Sequence, residues 1–417
     1  MVAAAESAAK FDRAGAPDIH SKTPRPPRSW LAAALPGFAA VFVGVGLGRF
    51  AYTPMVPFLI QDGIDPIAAG YAGAANLAGY FLGATLAHRL GLIVGAGRAI
   101  RWALALTILS FLGCAVPLGF AWLAAWRLVA GVTGGVLMVV GASTALGRVT
   151  AAARGRAAGI IMTGVGLGVV FGSAVVGPLA GRSVHFVWYA LAALSLVATA
   201  ASWRAWRAGP VFGPDPVFGP DPEADLAAAR RFGPAVLLLV IAYGFDGAGF
   251  VPHTIFWVDY VARALGLGPE WGALTWLGFG IGALAGPVAV GALADRLGLG
   301  RTLVLALLVK TLAIALAIVS AAPEALMLSA FLVGVLSPGL STLISARLHE
   351  LVDRRTHGQA WGLATLGFSA AQALGGLGMS SAFAAVNAYT PIYGAGAFLE
   401  ALGLALAAAA WLAARGR

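Results

Sequence analysis

Charged residues are scarce in this sequence of 417 residues: Asp, Glu, Lys and Arg together make up 11%, whereas 60% of the residues are hydrophobic. An ordinary soluble domain has about 25% charged residues, most of them on its water-facing surface. The composition therefore excludes a chain of soluble domains. The hydrophobic residues instead fall in long runs, each close to the ~20 residues that a helix needs to cross a bilayer.

Cysteine is almost absent. Cys114 is the only one in the chain, so no internal disulfide can form, and its place in an apolar run indicates a small buried side chain. The sequence also lacks a nucleotide-binding loop, a His or acid cluster at metal-ligand spacing and a Ser/His pair on one helix face. These absences argue against an enzyme, and neither a cofactor nor a metal is expected.

The hydrophobic runs are too long for the ~10-residue strands of a membrane barrel and show no strand-like alternation, so they predict transmembrane helices. The first six runs are Leu31–Ile60, Ile67–Ala87, Trp102–Gly119, Ala121–Leu146, Ala157–Gly181 and Phe186–Trp203. The last six are Pro234–Tyr260, Gly272–Ala294, Thr302–Ala322, Ala325–Ala346, Ala360–Ala385 and Ile392–Ala414. The predicted fold class is an all-α polytopic membrane protein of twelve transmembrane helices.

The basic residues, which give a net charge of +10, are unevenly divided between the loops. Most of them lie in the loops on the side of the two termini, and the loops on the other side hold only Arg182 and Arg263. By the positive-inside rule this predicts that both termini are cytoplasmic. The positive charge is then a topology signal, so the lipid bilayer is the expected partner and nucleic acid is not.

An internal repeat relates the two sets of runs. Residues 131–132 recur as 334–335, and the Gly-x-Ala-x-Gly pattern of 155–159 recurs at 358–362 with the same offset. The repeat predicts two pseudo-symmetric six-helix bundles, an organisation typical of transporters. The predicted segments are a disordered cytoplasmic tail (1–29), an N-terminal half (30–204), a cytoplasmic linker with a tandem Val-Phe-Gly-Pro-Asp-Pro repeat (205–233) and a C-terminal half (234–417).

One loop motif carries a family resemblance. The segment Gly291–Gly298, with Asp295 and Arg296, is followed by Arg301 and falls between the eighth and ninth runs. It resembles the cytoplasmic loop signature of the major facilitator superfamily, although the N-terminal copy has His88 in place of the acid. The resemblance implies that Asp295, Arg296 and Arg301 form a gating loop, in which a charge relay to neighbouring helix ends controls conformation.

Further motifs support this resemblance. Arg127 with Gly131 resembles the fourth-helix arginine motif of the superfamily, and 164–181 resembles the fifth-helix motif of its antiporters, with Ser173 replacing a glycine. The first run, at 46–57, resembles the bacterial YbfB/YjiJ-type branch. The resemblance implies alternating access in a monomer, located in the bacterial inner (cytoplasmic) membrane. Import and export both fit the pattern.

Charges inside the runs are the best candidates for function, because each costs about 2.5–3.5 kcal/mol at the bilayer centre unless it is paired or faces a cavity. Arg49 and Asp246 occupy near-equivalent positions in the first and seventh runs, in the middle third of the membrane. We expect Arg49 to bind a polar, in particular an anionic, substrate and Asp246 to carry a proton. The alternative is a structural ion pair between them.

Other polar residues of the runs complete the predicted substrate and proton pathway. They are Tyr52, Arg127, His253, Trp257 and Gln372. Three of them also have a purely structural alternative: a snorkelling side chain for Arg127, a hydrogen-bonded buried histidine for His253, and an interhelical hydrogen bond for Gln372, as for Asn76.

The remaining intramembrane charges have different predicted roles. Lys310 and Glu400 each lie about 14 Å from the start of their runs, so their depths match and we expect a structural ion pair between them. Asp259, in the last turn of the seventh run, is expected to be solvated.

Three function classes follow from these features. A proton-coupled transporter of a small organic solute agrees best with the paired charges. An uncoupled facilitator or solute exchanger of the same fold is the alternative, and a membrane-embedded enzyme or sensor is a remote one.

Overall fold

The described part of the chain consists of helices. The structure, a computed structural model, describes residues 29–207, 222–353 and 356–415, and these ranges contain no β-strand. The first half comprises α1 (Trp30–Gln61), α2 (Pro66–Leu90), α3 (Ala96–Cys114), α4 (Phe120–Leu146), α5 (Arg154–Ala180) and α6 (Val184–Ser202). The second half comprises α7 (Pro234–Ile255), α8 (Gly268–Leu297), α9 (Leu299–Val319), α10 (Pro323–Leu351), α11 (His357–Val386) and α12 (Thr390–Arg415).

Within the described ranges, ten helical stretches are long and apolar enough to cross a membrane. In this count α2 and α3 belong to one continuous stretch, Pro66–Cys114, and α11 is not included. The all-helical membrane fold is therefore confirmed, whereas the number of twelve spans, their orientation and the two-half division stay predictions. The predicted tail, apart from Ser29, and the tandem repeat of the linker, apart from Pro222, lie outside the described residues.

Local sequence signals set several helix ends. Ser29 Oγ accepts a hydrogen bond from Ala32 N at 3.2 Å at the start of α1, and Asp65 Oδ1 accepts one from Ile67 N at 2.8 Å at the start of α2. Such side chains satisfy backbone N–H groups that the first helical turn leaves free. Gly298 separates α8 from α9 with φ +82°, a conformation that glycine adopts without steric cost.

Helix α1 is irregular through its middle. It runs as a π-helix over Phe42–Leu47 and as a 3₁₀-helix over Phe50–Met55. The first of these segments packs closely on α5, where a Cβ on Gly46 would lie 2.8 Å from Gly168 Cα. Changes of helix type leave backbone carbonyls without their usual partners, and in a membrane these carbonyls need other donors.

The two halves are hydrogen-bonded to each other mainly toward one end of the bundle. We call the end where the described chain starts and stops the terminal end, and the opposite one the distal end. Three bonds between the halves on the distal side are Tyr71–Ser381 (2.9 Å), Trp276–Phe50 (3.1 Å) and Thr53–Thr254.

Candidate functional site

The irregular part of α1 is held by polar side chains from α2 and α4. Arg127 Nη1 donates to Gly48 O at 2.8 Å, and Asn76 Nδ2 donates to the same carbonyl at 3.3 Å. Arg127 Nη2 also reaches Arg49 O at 3.5 Å. Because α1 changes from a π- to a 3₁₀-helix here, these donors supply partners for carbonyls that a regular helix would satisfy itself.

Arg127 and Tyr52, two residues of the predicted pathway, are packed against each other inside the first half. The Arg127 guanidinium lies 4.2 Å from the centre of the Tyr52 ring, a cation–π contact. The Tyr52 hydroxyl donates to Ala69 O at 2.8 Å. Both side chains are at most 2% exposed, and their hydrogen bonds join α1 to α2 and α4.

Arg49 points from α1 across to the second half. Its Nη1 donates to Gln372 Oε1 on α11 at 3.0 Å, whereas its Nε and Nη2 atoms have no hydrogen-bond partner. The guanidinium also lies 5.7 Å from the centre of the Tyr80 ring. Among the described residues no carboxylate forms an ion pair with Arg49. Arg49 is therefore a buried cation with unused donors.

Two aromatic residues next to this pair were not predicted from the sequence. Tyr80 lies one helical turn after Asn76, and Phe368 one turn before Gln372, so each shares a helix face with a polar residue of the site. Phe368 stacks on Tyr243 with ring centres 4.4 Å apart. Both Tyr80 and Phe368 are partly exposed. The sequence feature that could have identified them is their spacing of one helical turn from the side-chain amides of Asn76 and Gln372.

Asp246 faces a different partner from the one expected. Lys310 Nζ on α9 lies 2.5 Å from Asp246 Oδ1 and 3.8 Å from Glu400 Oε1 on α12. The ring centre of Phe250 is 4.4 Å from the same ammonium. Asp246, Lys310 and Glu400 thus form one buried cluster, which we call the charge cluster.

The charge cluster contradicts the alternative of an ion pair between Asp246 and Arg49, and it extends the expected pair of Lys310 and Glu400. The equivalent depths of Arg49 and Asp246 do not determine the direction of each side chain around its helix. Helix α12 approaches α7 closely at Gly249, where an added Cβ would lie 3.0 Å from Glu400 N. This contact turns the Asp246 side of α7 toward α9 and α12.

His253 and Trp257 also bond within the second half. His253 Nε2 is 3.0 Å from Ser329 Oγ, and its ring stacks on Trp257 with centres 4.3 Å apart. Trp257 Nε1 donates to Thr275 Oγ1 at 2.9 Å. Both residues are fully buried, so their placement matches the hydrogen-bonded alternative given for His253.

Asp259 is not solvated, contrary to the sequence-based expectation. It is 3% exposed and binds Arg263 through Nε at 2.5 Å and Nη2 at 3.0 Å. The Tyr389 hydroxyl donates to the same carboxylate. The hydrogen bond with Asp259 raises the pKa of Arg263. Asp259 lies one turn before Arg263, and Tyr389 of the α11–α12 loop packs on its carboxylate, whereas Arg263 is partly exposed.

The predicted gating loop is open to solvent. Asp295, Arg296 and Arg301 are exposed, and they form no hydrogen bond or ion pair with the part of the chain that the structure describes. The expected charge relay therefore has no counterpart in these contacts. No group of three or more metal-ligating side chains occurs in the described ranges either.

Comparison with known proteins agrees with this architecture. Residues 41–412 match the family described as "uncharacterised MFS-type transporter YbfB". A chloramphenicol resistance protein of Streptomyces lividans is 28% identical over 346 residues, which cover 80% of this chain and 85% of that protein. The crystal structure of a point mutant of the nucleoside transporter NupG superposes with a TM-score of 0.73 at 13% identity, over 91% of this chain and 99% of that one.

The structural match at such low identity shows the shared fold, whereas the family match covers most of the sequence, including Arg49 and the charge cluster. The chain therefore belongs to the YbfB-type family of major facilitator superfamily (MFS) transporters.

Proposed function

We infer that this protein is a proton-coupled secondary transporter of a small organic anion that works by alternating access. The observation that carries the proposal is Arg49: a buried cation at the meeting point of the two halves, with no carboxylate partner in the described ranges and two unused donor nitrogens. An uncompensated charge at this depth is costly. A bound anion supplies the missing partner.

The proposed architecture has twelve spans with both termini in the cytoplasm. The stretch Pro66–Cys114 is interrupted by a π-helix at Gly91–Gly95, and Gly95 has φ +86°. This break supports two crossings, α2 and α3, and α11 supplies the remaining one. Arginines concentrated at the terminal end support a cytoplasmic position for that end.

The arrangement around Arg49 suits an anion with an apolar body. Guanidinium groups bind carboxylates through two parallel N–H bonds, for which Nε and Nη2 are available. Tyr80 and Phe368 lie one turn nearer the terminal end, where they can pack on an aromatic or aliphatic substituent. The proposed substrate class is therefore a small carboxylate with a hydrophobic group.

The hydrogen bond between Arg49 and Gln372 provides a link between substrate and conformation. It joins α1 to α11 while the halves are bonded toward the distal end. A carboxylate bound to Nε and Nη2 leaves Nη1 to Gln372 but pulls on the guanidinium that this hydrogen bond holds. Binding thereby changes a contact between the halves, which is what alternating access requires of a substrate.

The coupling ion is proposed to be a proton bound in the charge cluster, which contains Asp246. The cluster lies within the second half and offers buried carboxylates but no oxygen-rich, multidentate site for a metal cation among the described residues. Uptake or efflux in proteoliposomes is expected to follow an imposed pH gradient. Transport that is unchanged when the gradient is collapsed would favour the uncoupled facilitator.

Substrate class is tested by thermal shift of the purified protein with matched probes. Benzoate and phenylacetate are expected to raise the melting temperature, while benzamide and phenylacetamide are not. The effect should disappear in Arg49→Gln and persist in Arg182→Gln, which removes an exposed loop arginine. Chloramphenicol and uridine, suggested by the names of the similar proteins, are uncharged probes; stabilisation by these alone contradicts the anion proposal.

A further inference from the structure

The charge cluster contains one more carboxylate than its single ammonium can neutralise. Asp246, Lys310 and Glu400 come from α7, α9 and α12, and each is at most 1% exposed. With both acids ionised, the cluster would carry a net negative charge inside the membrane. Such a charge is strongly disfavoured where water cannot solvate it.

The distances divide the two acids into different roles. Lys310 Nζ is 2.5 Å from Asp246 Oδ1, the separation of a direct ion pair, but 3.8 Å from Glu400 Oε1. Both oxygens of Glu400 lack a hydrogen-bond partner although the residue is fully buried, whereas in Asp246 only Oδ2 lacks one. Asp246 is thus the acid hydrogen-bonded to the ammonium, and Glu400 is held only by the longer ion-pair contact.

No other charged group in the described ranges compensates Glu400. On α7, the ionisable side chains nearest the cluster are those of His253 and Tyr243; His253 binds Ser329 of α10, and Tyr243 stacks on Phe368 of α11. Among the described residues, Lys310 is the one cation in ion-pair contact with Glu400. The third helix of the cluster, α12, contributes no basic residue near Glu400.

We propose that Glu400 is the proton-binding residue of this protein, with Asp246 as the direct ion-pair partner of Lys310 in the protonated state. This deepens the proton coupling proposed above and rests on it for its role in transport. On loading, an O–H bond forms between a proton from water and a Glu400 carboxylate oxygen, and the cluster becomes neutral. On release that bond breaks, the proton returns to water, and Lys310 is left between two carboxylates.

The cluster is connected to the substrate site through α7. Phe250 covers the Lys310 ammonium and lies 6.1 Å, ring centre to ring centre, from Phe368 beside Gln372. When Glu400 loses its proton, Lys310 is drawn toward it and away from Asp246. A shift of Asp246 displaces the part of α7 that contains the neighbouring Gly247, where the helix packs on Phe368. The displacement caused by proton release is thereby transmitted to the residues around Arg49.

Infrared spectroscopy of the purified full-length protein in detergent at neutral pH tests the charge count, because protonated carboxyl groups absorb apart from carboxylates. Wild type is expected to contain one buried protonated carboxyl, Glu400→Gln none and Lys310→Met two. No buried protonated carboxyl in wild type, or an unchanged band in Glu400→Gln, would overturn the proposal.

The assignment to Glu400 rather than Asp246 is tested by melting temperature. Glu400→Gln mimics the protonated acid and is expected to melt close to wild type, whereas Asp246→Asn removes the counter-ion of Lys310 and should melt several degrees lower. Equal losses, or a larger loss in Glu400→Gln, contradict the assignment. Neither measurement requires a substrate, so a proton site found by infrared together with transport that ignores the pH gradient would refute coupling while leaving the site intact.

Discussion

Arg49 and Arg127 are two buried arginines that differ in how many of their donor nitrogens have partners. Both Nη atoms of Arg127 donate to backbone carbonyls of α1 and its face lies on the Tyr52 ring, which leaves only Nε without a partner. Arg49 has one bond, to Gln372, and two free nitrogens. We therefore propose ligand binding for Arg49 and positioning of α1 for Arg127.

Replacing Arg127 should weaken the fold. Arg127→Gln removes the charged donor at 2.8 Å and leaves Gly48 O with the longer bond from Asn76 at 3.3 Å; a hydrogen bond from a charged group contributes about 1.5–3 kcal/mol. We expect a melting temperature several degrees lower in detergent, with Arg182→Gln, which changes an exposed loop residue, close to wild type. An unchanged melting temperature in Arg127→Gln would show that the bond from Asn76 alone is sufficient and that Arg127 does not stabilise α1.

Tyr389, in the loop between α11 and α12, should make stability depend on alkaline pH. Burial, followed by the nearby Asp259 carboxylate, raises the pKa of its phenol above the ordinary value. The folded protein then holds this proton more tightly than the unfolded chain, so the associated stability is present below about pH 10 and lost above it. The melting temperature of wild type should fall more steeply with rising pH than that of Tyr389→Phe; parallel curves would contradict this.

At the scale of elements, the irregular α1 depends on its glycine contact with α5. A Cβ at Gly168 would collide with Gly46 Cα, so the two backbones can approach only because both residues lack side chains. Helix α5 also contains Gly177, where an added Cβ would meet no atom within 4 Å. This difference provides a matched pair of substitutions.

Gly168→Ala is therefore expected to lower the yield and melting temperature of folded protein, because the new methyl group separates α5 from α1. Gly177→Ala should behave like wild type or better, since alanine favours the helix. Size-exclusion chromatography and thermal unfolding measure both variants. If the two are equally tolerated, the close approach of α1 and α5 is not needed for folding.

At the scale of the whole molecule, the proposed topology predicts which ends of the helices face each side of the membrane. Asp62 and Ala321 are exposed at the distal end, and Arg154 and Arg204 are exposed at the terminal end. The native Cys114 is buried, so wild type provides a low background for thiol labelling.

Single cysteines at Asp62 and Ala321 should react with an impermeant maleimide in intact cells, whereas those at Arg154 and Arg204 should react only after the membrane is opened. This follows from the bias of arginines toward the terminal end. The reverse pattern would invert the proposed orientation. Labelling of Asp62→Cys but not of Ala321→Cys would contradict the twelve-span count.

More of the fold than of the candidate site could be predicted from the sequence. Run length and hydropathy predicted the helices, and the loop and first-run motifs indicated the superfamily that the family match confirms. For the site, depth along each helix was enough to place Lys310 near Glu400. Depth along the helix did not predict the surroundings of Asp246 and Asp259. Their partners depend on the angle of the side chain around the helix and on neighbouring loops.

The sequence by itself determined that this chain is a helical membrane protein, because the cost of placing polar groups in lipid acts on the composition of each run, one helix at a time. Only the tertiary structure decided which charges meet. Asp246 and Arg49 have similar depth, yet close packing of α12 on α7 at Gly249 turns Asp246 to Lys310 and leaves Arg49 with Gln372. Contacts between helices far apart in sequence set that geometry, and hydropathy along the chain carries no information about it.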